Sequence, residues 1–198
     1  IPLVLCSVVA MALIVERFLT LRAAKVAPSR LVDEVISVTR ASLPTADTIQ
    51  KLADNSVLGQ VLAQGLQTAA DGRISEERLR AGLEAAGRQA VHELERNLNA
   101  LGTIASAAPL FGLLGTVIGM IEIFAASGGT TSGSGDPQAL AHGISVALYN
   151  TAFGLMVAIP SLMAHRHFRT KVDGFALQME QSADKLSQHL LRLSAGRR

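Results

Sequence analysis

Tryptophan is absent from this 198-residue chain, tyrosine and cysteine occur once each, and only 17% of the residues are charged. A lone Cys6 excludes an internal disulfide and any cysteine-built metal site, and it reads as a small apolar packing group. The net charge of +2 gives no electrostatic reason to bind nucleic acid. His142, His165 and His167 have no carboxylate or thiol at ligand spacing, which argues against a metal. There is no phosphate-cradling glycine loop after a strand, no nucleophile elbow and no nucleotide motif, so neither a cofactor nor an enzymatic reaction is expected. Alternating strand patterns are missing as well, which leaves an all-α chain.

Charge is missing from particular places. No Asp, Glu, Lys or Arg occurs from Asn97 to Ile121 or from Pro137 to His165. Each run exceeds the roughly 20 residues that carry a helix across about 30 Å of hydrocarbon. A shorter apolar run, Ile1 to Val15, reads as the inner part of a membrane helix, since it lacks the basic region and cleavage site of a signal peptide. The expected order is a first span over 1–15, a cytoplasmic helical domain over 16–97, spans over 98–124 and 139–164 joined by an external loop over 125–138, and a cytoplasmic C-terminal helix over 165–198. Eleven of the 18 Lys and Arg fall between Arg17 and Arg96, seven between Arg166 and Arg198, and none between the second and third runs. By the positive-inside rule the N-terminus faces out and the C-terminus faces the cytoplasm. Few aromatics means little interfacial belt, which favours spans shielded by neighbouring subunits.

Outside the spans, "VERFLTLRAAK" continues the first helix, Pro28 and Ser29 mark a break with Ser29 as a new cap, and Pro44 ends the next helix. Two short helices follow. Ser75 then caps a helix of about 50 residues that enters the second span without a stop signal, and Pro109 should bend it.

Within the spans, small residues form stripes. At roughly 100° per residue, Gly143, Ala147, Gly154, Ala158 and His165 lie within about 80° of Thr151, and Ala105, Ala108, Gly112 and Gly119 lie within about 80° of Thr116. Such stripes, including the GxxxG of Gly115 and Gly119, pack helices closely. With a hydroxyl at the centre, they would also line a space that admits another helix. Asn150 is about 100° from Thr151 and suits a hydrogen bond between spans or subunits, with a pathway role as the alternative. Glu122 is the sole carboxylate inside a span, about 9 Å from Thr116 along the axis and about 120° around it. It serves either as a proton entrance or as an outer-end contact with interfacial water. Glu16, at the inner boundary, is either an ion-pair or headgroup contact or an exit-side group.

The segments "APLFGLLGTVIGMIEIF" and "GISVALYNTAFGLMVAIP", with the "VERFLTLR" exit of the first span and the long segment before the second, resemble the proton-channel family of ExbB, TolQ and, more remotely, MotA. The similarity is specific from Ala108 to Ala164 and architectural elsewhere. It implies an all-α, three-span inner-membrane subunit in a pentameric ring around single-span ExbD/TolR-type partners, whose membrane carboxylate carries the proton. It further implies that the proton gradient energises envelope-spanning transport or maintenance through a TonB/TolA-type protein. Thr116 and Thr151 take the positions of the family threonines that face the carboxylate. The chain departs from many ExbB and TolQ members at Val146, where they carry a glutamate. A flagellar-type stator, a sodium-driven variant and a non-conducting membrane scaffold remain the alternatives.

Overall fold

The computed structural model describes residues 2–70, 75–128 and 137–195. Among these every regular element is α-helical: α1 (Pro2–Thr20), α2 (Ala23–Val26), α3 (Leu31–Ala41), α4 (Ala46–Asn55), α5 (Val57–Ala70), α6 (Glu76–Gly128) and α7 (Pro137–Ala195). Tertiary contacts divide the chain into two units, Ile1–Glu16 with Asn97–His167, and Arg17–Arg96 with Phe168–Arg198. Both long helices contribute to each unit.

The expected 50-residue helix is present as α6, 53 residues long and unbroken through Pro109. Ser75 immediately precedes it, and its carbonyl accepts the Leu79 N–H at 3.0 Å. The third span and the C-terminal segment form one helix of 59 residues that runs through Pro160. Most of the expected external loop, residues 129–136, lies outside the described residues.

Two local expectations are corrected. The first helix does not continue to Lys25: α1 ends at Thr20, and Arg22 is extended at φ −90°, ψ 133° before the single turn of α2. Burial decides this, because Leu21 is 2% exposed and anchors the chain in the core at the point where the helix would otherwise run on. Ser29 is not a helix cap. Arg30 holds the position before α3 without a side-chain cap bond, while the Leu31 N–H reaches the Pro28 carbonyl at 3.2 Å.

In the first unit α6 and α7 pack antiparallel through their small residues, and Leu3 of α1 packs against Ala108, Val157 and Ala158. Large apolar side chains such as Leu113, Val117, Phe124, Leu148, Met156 and Met163 point outward. An apolar exterior suits lipid, and α1, α6 and α7 each hold a stretch long and apolar enough to cross a membrane. The second unit has a conventional core. Leu58, Leu62 and Leu66 of α5, Leu79, Leu83 and Leu94 of α6 and Val172, Met179, Leu186 and Leu190 of α7 are all buried, and a Cβ on Gly65 of α5 would meet Leu83 at 2.8 Å and Leu186 at 3.4 Å. The seven-residue spacing of 172, 179 and 186 keeps one face of α7 inward.

Candidate functional site

The small-residue stripes of α6 and α7 meet each other. A Cβ placed on Gly112 would stand 3.0 Å from the Thr151 Cα, and one on Gly154 would stand 2.7 Å from the Ala108 carbonyl oxygen. Gly119 faces Ala147 at 3.3 Å, and Gly115 faces the Asn150 side chain at 3.0 Å. Glycine is required where backbones approach this closely in an apolar setting, since dispersion grows with proximity and no side chain intervenes. Pro109, half-buried, belongs to the same stretch of α6. The stripes therefore pack against each other, with only part of them, at Gly119 and Ala147, bordering a groove, and the hydroxyls stand at their margins, not their centres.

Helix geometry places those margins. The α6 residues in contact with α7, Gly112, Gly115 and Gly119, centre roughly 70° to one side of Thr116. The α7 residues in contact with α6, Ala147, Asn150, Thr151 and Gly154, centre roughly 50° to the same rotational side of Thr151. Because the two helices run antiparallel, equal senses of rotation bring Thr116 and Thr151 out on one side of the seam. Both are half-buried. Thr116 Oγ1 donates to the Leu113 carbonyl at 2.7 Å and borders a surface recess with Val117, Met120, Ile121 and Phe124. The carbonyl occupies the hydroxyl's hydrogen and leaves its oxygen able to accept.

Glu122 and Asn150 come out on the opposite side. They share a groove of about 530 Å³ with Gly115, Gly119, Val146 and Ala147. Asn150 also borders a second recess, against Leu3 and Val4 of α1. Phe153, which lines that recess, is about 160° around α7 from Thr151, so α1 covers the side of the pair away from the threonines. Sequence reasoning placed Glu122 beside Gly115, as found. It missed the split into two sides, which only the antiparallel pairing defines.

At the Glu16 and Asn97 end of the first unit, Asn97 Nδ2 donates to Glu16 Oε2 at 3.2 Å. His165 Nδ1 donates to the Leu98 carbonyl at 2.9 Å, with its ring 3.0 Å from where a Cβ on Gly102 would sit. This histidine was read from the sequence only as part of the stripe. The signal for its partner was Gly102, four residues after Leu98 and therefore one turn above the shared carbonyl. No group of three metal-ligating side chains occurs among the described residues.

Residues 53–181 match the MotA/TolQ/ExbB proton channel family. The chain is 32% identical over 185 residues to the putative biopolymer transport protein ExbB-like 3 of Synechocystis sp., covering 92% of this chain and 86% of that protein. It is 46% identical over 81 residues to the biopolymer transport protein ExbB of Helicobacter pylori, covering 41% of this chain and 54% of that protein. With the Tol-Pal system protein TolQ of Haemophilus influenzae it shares 34% identity over 107 residues, covering 54% of this chain and 46% of the relative.

Proposed function

Since the chain belongs to the MotA/TolQ/ExbB proton channel family, of the ExbB/TolQ kind, we propose that it is an inner-membrane subunit of a proton-driven motor. It would form a homo-oligomeric ring, a pentamer by family resemblance, around an ExbD/TolR-type helix bearing a carboxylate. A TonB/TolA-type protein would carry the work across the envelope. The N-terminus lies outside and the C-terminus in the cytoplasm, in keeping with the distribution of Lys and Arg.

One observation carries this reading. Thr116 and Thr151 emerge on the same side of the α6–α7 seam, away from α1, at nearly one depth: Thr151 packs against Gly112, one helical turn from Thr116. An ionised carboxylate in hydrocarbon costs several kcal/mol; the uncharged Thr151 hydroxyl can hydrogen-bond it in either protonation state, while Thr116, its hydrogen held by the Leu113 carbonyl, accepts from the protonated form. Protonation from the outer side removes the charge and with it the penalty, which frees the partner helix to shift within the ring. Glu122 and Asn150, on the other side, serve helix contact and the interface, not the carboxylate.

A second reading, a non-conducting scaffold, is favoured by two facts: the glycines are fully used in packing α6 on α7, and the Thr116 hydroxyl already bonds its own helix. The two separate in vesicles that hold the chain with its carboxylate-bearing partner. A motor loses proton-gradient-driven activity on Thr151→Val and retains it on Thr151→Ser, whereas a scaffold is indifferent to both.

A further inference from the structure

The second unit contains a groove of about 520 Å³ between α6 and α7. Its floor is apolar, with Leu83 and Met179 buried, and its rim carries Glu84, Glu95, Glu180 and Asp184 beside Arg80, Arg88 and His92, with Glu95 paired to Arg169 at 3.4 Å. The basic residues along it are engaged locally: Arg88 pairs with Glu84 at 3.5 Å and Arg80 with Glu76 at 2.9 Å. Glu180 and Asp184, one turn apart on the exposed edge of α7, have no ion pair among the described residues. Gly87, in the wall, would place a Cβ with nothing within 4 Å. A glycine inside a helix costs about 1 kcal/mol relative to alanine, and here no atom of this chain requires it.

The opposite flank of the same α7 segment is covered by the chain's own N-terminal part. Gln178 Nε2 donates to the Ala27 carbonyl at 3.2 Å, and Lys171 Nζ sits 5.8 Å from the centroid of the Phe18 ring. Lys171 is about 20° from Gln178 around the helix, whereas Glu180 and Asp184 are about 160° and 120° away. The covering segment carries Arg22, Lys25 and Arg30, all exposed and without an ion pair among the described residues. An unsatisfied basic patch and an unsatisfied acidic groove thus lie on opposite flanks of α7, with Ala27 and Gln178 setting them at one height.

We infer that this groove docks the Arg22–Arg30 segment of a second copy of the chain. Two different surfaces that complement each other make a head-to-tail contact, the kind that closes into a ring. Equal height on the two flanks suits a ring axis parallel to the helices. The inference rests on the oligomeric reading above and names the surfaces that build it.

The test is the native mass of the chain with its partner in detergent at low salt, where such contacts are least screened. Reversing Glu180→Lys with Asp184→Lys, or Arg22→Glu with Lys25→Glu and Arg30→Glu, lowers the fully assembled fraction several-fold, and combining the two sets restores it. Gly87→Phe blocks assembly and leaves the helical signal and melting unchanged. The inference is overturned if either reversed set, or the folded Gly87→Phe chain, assembles as the wild type does. It is equally overturned if the reversed basic set loses only its affinity for anionic-lipid vesicles. A wild-type chain that is monomeric beside its partner would instead overturn the oligomeric reading itself.

Discussion

The Cα of Thr151 occupies the space that a side chain on Gly112 would need: a Cβ there would stand 3.0 Å from it and 2.9 Å from the Asn150 carbonyl oxygen. The residue proposed to face the proton carrier is thus held in place by a close backbone approach of α6 to α7.

Gly112→Val and Gly154→Val should therefore destabilise the first unit by about 1–3 kcal/mol each, the range for overpacking a tight contact. Gly115→Ala should cost less, because the added methyl would meet side-chain atoms of Asn150 at 3.0–3.2 Å before any backbone atom, and the Asn150 amide can rotate away even though its Cβ cannot. Melting of the purified protein in detergent checks the order. Equal stability of Gly112→Val and wild type would contradict the packing.

Glu122→Gln should leave gradient-driven activity within about twofold of wild type, since Glu122 borders the groove with Asn150 on the side away from the threonines. Under the same assay Thr116→Val should reduce activity by more than tenfold while preserving the melt, since its hydroxyl bonds its own helix. Tenfold corresponds to about 1.4 kcal/mol. A crippled Glu122→Gln chain would move the proton route to the other side.

Arg17 is 4% exposed and its Nη1 donates to the Leu94 carbonyl at 2.9 Å. Arg17→Met keeps an unbranched apolar stem and removes a charged hydrogen bond, at a cost of about 1.5–3 kcal/mol. Arg17→Lys should be intermediate, since a point donor replaces the planar guanidinium. Chemical denaturation of the three proteins reads the difference.

His189 Nε2 is buried without a hydrogen-bond partner among the described residues. Burial, then the positive charges of Arg40 and Arg192, hold this imidazole below its ordinary value. The unfolded chain takes up the proton more readily than the folded one, so stability rises with pH through this range. The loss begins as pH falls below about 6.5, the unperturbed value. His189→Gln should show a smaller fall in melting temperature than wild type between about pH 7.5 and about pH 5.5. An identical fall would dismiss the site as a source of acid sensitivity.

Much of this was open to reading in one dimension. The uncharged runs at Asn97–Ile121 and Pro137–His165 announced two spans, because hydrocarbon excludes charge whatever the fold. As Pro44 signalled, α3 ended before it, and the two short helices expected next are α4 and α5. The break at Leu21–Arg22 was hidden. Local helix preference runs straight through it, and the break coincides with the burial of Leu21, which is 2% exposed.

The candidate site divides in the same way. Hydroxyls, glycines and a carboxylate within uncharged helices, and the angular spacing between them along each helix, were properties of the sequence, since a regular helix turns by the same amount per residue wherever it sits. Which side of the seam Thr116, Thr151, Glu122 and Asn150 came out on was a property of the tertiary structure alone. A wheel has no reference direction until a second helix packs against it, and that direction came from Gly112 lying on Thr151 and Gly154 on Ala108.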